Sequence, residues 1–173
     1  MTFIRSLLFN VAFFVATALT VLVGLPLLAA PQSWMVRYVR VWAKGVVAML
    51  HGLCGIKVAV LGRENLPDGP CVIAAKHQSA FDTIIWTALL PEPVYVMKKE
   101  LLSIPLWATL AQRCGHIAVD RAAGASALRG MVKDAKAVIA AGRPIVIFPE
   151  GTRAAPGARL PYQPGVMALA ALG

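Results

Sequence analysis

Charge is what this chain has least of. Only 14% of its 173 residues are charged, and only 8 of them are Asp or Glu against 17 Lys and Arg. Soluble domains carry about a quarter charged residues, so this is not the composition of an ordinary soluble domain. Cysteine is also scarce. Cys54, Cys71 and Cys114 form no CxxC pair and no metal-ligand spacing, which argues against a disulfide framework and leaves reduced, packed thiols as expected in the cytosol. HExxH is missing, and no second histidine lies near His77, so no metal site is expected. GxSxG and GxxxxGK[ST] are missing too, which removes the serine nucleophile elbow and the Walker phosphate loop. No basic stripe is interleaved with stacking aromatics, so no nucleic-acid partner is expected. Internal repeats and low-complexity linkers are likewise lacking.

What the chain does have is an apolar start. No charged residue occurs from Leu7 to Ala30, and Asn10, Thr17 and Thr20 alone interrupt the run with hydrogen-bonding side chains. A bilayer core takes roughly 20 apolar helical residues, so the segment is long enough to span or to enter deeply. A cleavable signal peptide competes with this reading, but it requires a shorter apolar core and a better small-residue site than Leu28-Ala29-Ala30-Pro31. Arg37, Arg40 and Lys44 follow the run and favour the cytoplasmic side for the remainder. The net charge of +9 fits attraction to anionic lipid headgroups. Pro31 ends the first helix. A second, from Ser33 to about Leu53, places Trp34, Tyr38 and Trp42 with basic residues, as a helix lying among headgroups does, though an ordinary core-facing helix carries the same spacing. Residues 1–54 are therefore expected to form membrane-anchoring helices and residues 55–173 a separate domain.

From Ile56 onward short apolar runs alternate with helical patterns. Strands are expected at Lys57–Leu61, Cys71–Ala75, Val94–Met97, His116–Val119 and Ile145–Phe148. Helices are expected at Phe81–Leu90, Leu106–Arg113, Ser126–Ala141 and from Val166. Such alternation implies an α/β fold, a mixed sheet flanked by helices. The helix beginning at Val166 has no following strand before Gly173, which implies a C-terminally incomplete domain.

Ligands of open α/β sheets bind at the carboxyl ends of strands. Three motifs fall there: Lys76-His-Gln-Ser-Ala-Phe-Asp82, Val119-Asp-Arg121 and Phe148-Pro-Glu-Gly-Thr-Arg153. On one continuous helix His77 and Asp82 would diverge by about 140°, so they meet only if the chain bends between them. Ser79 supplies the bend as a helix N-cap. Two readings follow. Ser79-Ala-Phe-Asp82 is a capping box with aspartate in the acidic position, or Asp82 orients His77 as a general base. With no protein nucleophile in sight, such a base would deprotonate a substrate hydroxyl. Arg121 and Arg153 can grip a phosphate, Gly151 permits close backbone approach, and Glu150 can accept from a polyol hydroxyl. Either arginine can equally be a surface ion pair. Lys98 and Lys99 reach phosphates or are simply solvated, and His51 and His116 are expected to be structural.

Taken together, His77-Gln-Ser-Ala-Phe-Asp82, Gly115-His-Ile-Ala-Val-Asp-Arg121 and Phe148-Pro-Glu-Gly-Thr-Arg153 resemble the HX4D, second and third blocks of the bacterial 1-acyl-glycerol-3-phosphate acyltransferases, within the wider glycerolipid acyltransferase family. Gly62–Pro67 and Lys98–Leu101 resemble the stretches between. The resemblance covers about Ile56 to Gly165. It implies acyl transfer to the free hydroxyl of lysophosphatidic acid, giving phosphatidic acid. His77 would be the base and Asp82 its orienter, and Arg121, Glu150, Gly151 and Arg153 would bind the glycerol phosphate. Acyl-CoA or acyl-acyl carrier protein would be co-substrate, with no cofactor. It implies membrane phospholipids as partners and a place at the inner (cytoplasmic) membrane with the catalytic domain facing the cytosol. The family's fourth block, an apolar proline-containing strand, has no counterpart before Gly173, and Gln163 stands where a basic residue is common. Other readings are a different lysolipid acceptor such as a lyso-ornithine lipid, a lipid-binding remnant, or a thioesterase or lipase.

Overall fold

The computed structural model describes residues 2–172. Helix α1 (Thr2–Gly24) runs through a 3-10 turn (Leu25–Ala29) into α2 (Gln32–Cys54), and the two pack against each other. Polar groups on both helices join this pairing. Trp42 Nε1 donates to Thr17 Oγ1 at 3.3 Å, and Tyr38 OH donates to the Thr20 carbonyl at 2.8 Å. Arg5 Nε donates to the Leu53 carbonyl at 2.7 Å, placing a cation on the negative end of α2. The other side of α1 exposes Phe3, Leu7, Phe14 and Leu22. The segment Thr2–Ala29 is long and apolar enough to cross a membrane.

Beyond α2 the elements are β1 (Val72–Ala74), α3 (Phe81–Leu89), β2 (Val94–Lys98), α4 (Trp107–Arg113), β3 (Ile117–Val119), α5 (Gly124–Ala140), β4 (Ile145–Ile147) and α6 (Pro164–Ala170). The four strands form one sheet in the order β1-β4-β2-β3. The expected α/β sheet flanked by helices is present, but it is parallel among the described strands rather than mixed. The reason is connectivity. A helix lies between each pair of successive strands, which returns the chain to the same end of the sheet.

β4 shows how both faces are covered. Ile145 and Ile147 point to one side and Val146 to the other, as the two-residue period requires, and all three are buried. Ile145 and Ile147 join Met131 and Ala135 of α5 and Val166 and Leu169 of α6. Val146 joins Tyr95 and Leu90, with Trp86 of α3 against them. The helix pair attaches through two smaller clusters. Ala43 and Val46 of α2 meet Ile84 of α3, and Met35 and Val36 meet Leu110 and Cys114 at α4.

Lys57–Leu61 is not a strand. The chain leaves α2 through left-handed Gly55 (φ 72°) and runs over the surface with Ile56, Val60 and Leu61 exposed. Apolar alternation fixes a strand only where one face becomes buried, and here neither does.

His116 is structural, as expected. Its Nδ1 accepts from the Tyr95 N–H at 3.3 Å, and its ring meets Tyr95 edge-on. Burial, and after it the nearby Arg143 cation, push the imidazole down from 6.5 to about 4. An unfolded chain takes up this proton near 6.5 and the folded chain only near 4. Folded stability from this residue is therefore complete above about pH 6.5 and is lost as pH falls toward 4, by about 3 kcal/mol in all. His116→Asn, which keeps an acceptor for Tyr95, is expected to flatten the fall in melting temperature between pH 6.5 and 4.5. An unchanged slope would assign the acid lability elsewhere.

Candidate active site

The parallel register sets the site. Ala74 of β1 lies beside Ile147 of β4, so residues three further on, His77 and Glu150, leave the sheet side by side. The last backbone rung runs from Ala75 N–H to the Ile147 carbonyl at 2.9 Å.

The bend expected after His77 is present. Helix α3 starts at Phe81, one residue later than a Ser79 cap implies. Ser79 Oγ still accepts from the Phe81 N–H at 3.2 Å, and Asp82 Oδ2 accepts from the Gln78 and Ser79 N–H groups at 2.5 and 2.7 Å. The same oxygen lies 3.1 Å from His77 Nδ1. The capping interaction and the His–Asp pair therefore coexist, and the cap aims the carboxylate. Burial alone would raise the Asp82 carboxyl. The Ser79 and Gln78 donors and then His77 more than offset this and hold it below the usual carboxylate range. With Nδ1–H donating to Asp82, the imidazole lone pair sits on Nε2.

The third motif wraps the same histidine. Phe148 stacks on the imidazole at 4.3 Å between ring centres, 21° from parallel, and Tyr95 stacks behind Phe148 at 6.3 Å. Ala154 N–H donates to the His77 carbonyl at 2.7 Å. Glu150 is buried, with Oε2 accepting from the His77 N–H at 3.3 Å and Oε1 3.2 Å from Lys76 Nζ.

Arg121, just past β3, reaches across the strand ends. Its Nη1 donates to the Gly151 carbonyl at 2.7 Å. Gly151 has φ 69°, and a Cβ there would lie 2.7 Å from that guanidinium nitrogen, so glycine is required both by the backbone and by the approach of Arg121. Arg153 lies exposed on the same loop. Arg121, Phe148 and Gly151 line a cavity of about 380 Å³ whose walls also include Val96, Val119, Leu128 and Met131. Lys99 pairs with Asp120 at 3.3 Å on the surface. The structure thus joins His77, Asp82 and Glu150 directly, and Arg121 with Gly151.

A family model described as Acyltransferase matches residues 57–172. The chain belongs to the acyltransferase family. Among its relatives, a Pseudomonas aeruginosa protein named 1-acyl-sn-glycerol-3-phosphate acyltransferase is 33% identical over 132 residues, which is 76% of this chain and 51% of that protein. A Helicobacter pylori protein of the same name is 32% identical over 120 residues, 68% of this chain and 49% of that one. The crystal structure of the 1-acyl-sn-glycerophosphate (LPA) acyltransferase PlsC from Thermotoga maritima superposes with a TM-score of 0.78 at 25% identity, covering all of this chain and 72% of that one. The chain spans about half the length of these curated relatives.

In this acyltransferase-family chain, sequence reasoning gave Phe148, Lys76 and Ala154 no role. Phe148 was open to it, since an aromatic just past β4, level with Ala75 in the parallel register, is placed to stack on the ring of His77 two residues further on. Ala154 carries no side-chain signal, because its contact is a backbone bond.

Proposed function

We propose that the chain transfers an acyl group from acyl-CoA or acyl-acyl carrier protein to the free hydroxyl of 1-acyl-glycerol-3-phosphate, giving phosphatidic acid, at the cytosolic face of the inner membrane. The carrying observation is the His77–Asp82 pair at the strand ends, where Phe148, stacked on the imidazole, also borders the apolar cavity that Arg121 lines. In this reading Nε2 takes the proton of the acceptor hydroxyl while its oxygen attacks the thioester carbonyl. The carbon–sulfur bond breaks, and the thiolate recovers the proton from the imidazolium, so no covalent protein intermediate is needed. Asp82 holds the tautomer and stabilises the transient cation. Arg121 and Arg153 meet the acceptor phosphate as charge-assisted donors, and Gly151 lets Arg121 lie close to the backbone. The cavity takes an acyl tail, since apolar walls with a few polar groups at one side suit an amphiphile. The membrane-directed helix pair delivers the site to a lipid acceptor. The names of the relatives support this acceptor over other lysolipids.

The test follows label from acyl-CoA in detergent micelles with lysophosphatidic acid, a lyso-ornithine lipid or water as acceptor. Label in phosphatidic acid is expected. Label only in the ornithine lipid, only in free fatty acid, or bound without turnover would each overturn the proposal, in favour of another acceptor, a hydrolase or a binding protein respectively.

A further inference from the structure

Glu150 is chemically placed to serve His77 rather than a substrate. Its side chain is 3% exposed, and both carboxylate oxygens have protein partners. One of them sits on the His77 N–H, just beyond the last backbone rung between β1 and β4. Glu150 therefore extends that ladder by one rung with a side chain, where the two strands have begun to separate. A buried carboxylate is tolerable only when paired, and Lys76 pairs it while its Nζ also donates to the Ala158 carbonyl at 2.5 Å. Lys76, the residue before His77, thus ties together the carboxylate that holds the His77 N–H and Ala158 on the loop carrying Arg153. On the other side of the same peptide, Ala154 N–H holds the His77 carbonyl.

We propose that Lys76 and Glu150 form a positioning pair that fixes the backbone at His77, so that Glu150 acts on the reaction through the imidazole and does not contact the acceptor. This rests on the reading of His77 as general base. Geometry errors near 1 Å at a reacting group lower rates by about a hundredfold. The pair should therefore be visible in turnover and not in acceptor affinity.

The experiment uses the full chain in detergent, with folding checked by far-ultraviolet circular dichroism. Lys76→Met and Glu150→Gln are each expected to lower kcat by roughly ten- to a hundredfold with KM for lysophosphatidic acid within about twofold. The double variant should be no worse than the poorer single one, as for two members of one unit, and Lys76→Arg should recover most of the rate. Amide hydrogen exchange in the peptide spanning residues 75–80 is expected to speed up in Lys76→Met and in Glu150→Gln. Exchange is read without turnover. A wild-type chain that fails to transfer acyl groups but shows this pattern would overturn the catalytic reading and leave the pair standing. A tenfold rise in KM at Glu150→Gln with kcat unchanged would make Glu150 an acceptor ligand and overturn the pair. So would Lys76→Met with wild-type kcat and wild-type exchange, a variant whose lysine is 43% exposed and therefore tolerant of replacement.

Discussion

Alanine in place of His77 is expected to lower acyl transfer by about 10²–10⁴-fold while leaving the fold in place. The two halves of this expectation have separate physical grounds. In the proposed reaction the rate falls because the acceptor hydroxyl loses the imidazole base that Asp82 holds at this position. The fold persists because Asp82 remains anchored by the Gln78 and Ser79 N–H groups and goes on capping α3 without the imidazole. Asp82→Asn separates charge from geometry. An amide oxygen can take the place of Oδ2 toward both N–H donors, but it brings no negative charge to stabilise an imidazolium. Its expected loss is at least tenfold in kcat, with α3 retained. Both are read by transfer of labelled acyl-CoA to lysophosphatidic acid alongside circular dichroism. Turnover within a few-fold of wild type in well-folded His77→Ala would remove the histidine from the chemistry.

Gly151→Val carries the second large effect. The added Cβ would lie within 3.0 Å of Nη1, Nη2 and Cζ of Arg121. The softest response is for that flexible side chain to move, because the backbone at Gly151 is fixed between Phe148 and the loop. Arg121 would then leave the Gly151 carbonyl and its place beside the cavity. Hydrogen bonds to charged groups contribute about 1.5–3 kcal/mol, so kcat/KM for the acceptor is expected to fall by about ten- to a hundredfold, mostly through KM. Placing a β-branched residue at φ 69° adds a stability loss of at least about 1–2 kcal/mol. Arg121→Ala should lose a similar fraction of kcat/KM with no stability loss of that kind. In the Gly151→Val background it should add little. A fully additive double variant would mean that Gly151 and Arg121 act independently.

The elements that were legible in the sequence are those whose pattern is long. The stripe Leu128, Met131, Val132, Ala135 and Ile139 predicts a helix, and α5 packs these residues on the sheet. The apolar run at the start predicts α1, and the Thr17 hydroxyl within it turns out to meet Trp42 of α2. Short strands were legible as apolar runs followed by charge, because buried parallel strands carry little alternation. The same brevity misled at Lys57–Leu61, where five residues satisfied the pattern without a surface to bury them. Within the site, the His77–Asp82 approach was legible because Ser79 offers the bend. The partnership of Glu150 with Lys76 was not, because it depends on Ala74 standing opposite Ile147. That register is set by crossovers spanning some seventy residues and has no local signature. For the same reason the Lys76 and His77 partners of Glu150 were not visible: a carboxylate in a motif declares its chemistry but not its neighbours.

The contact between α2 and α3 links two environments. Ile84 packs against Ala43 and Val46 of the lipid-directed pair, and Asp82 stands two residues before it on the same short helix. A change in the tilt of that pair, as bilayer thickness or lateral tension varies, must be absorbed at this contact or passed to the helix that aims the carboxylate. In the proposed membrane-seated enzyme, the surrounding lipid would thus act within one helical turn of the His77–Asp82 pair.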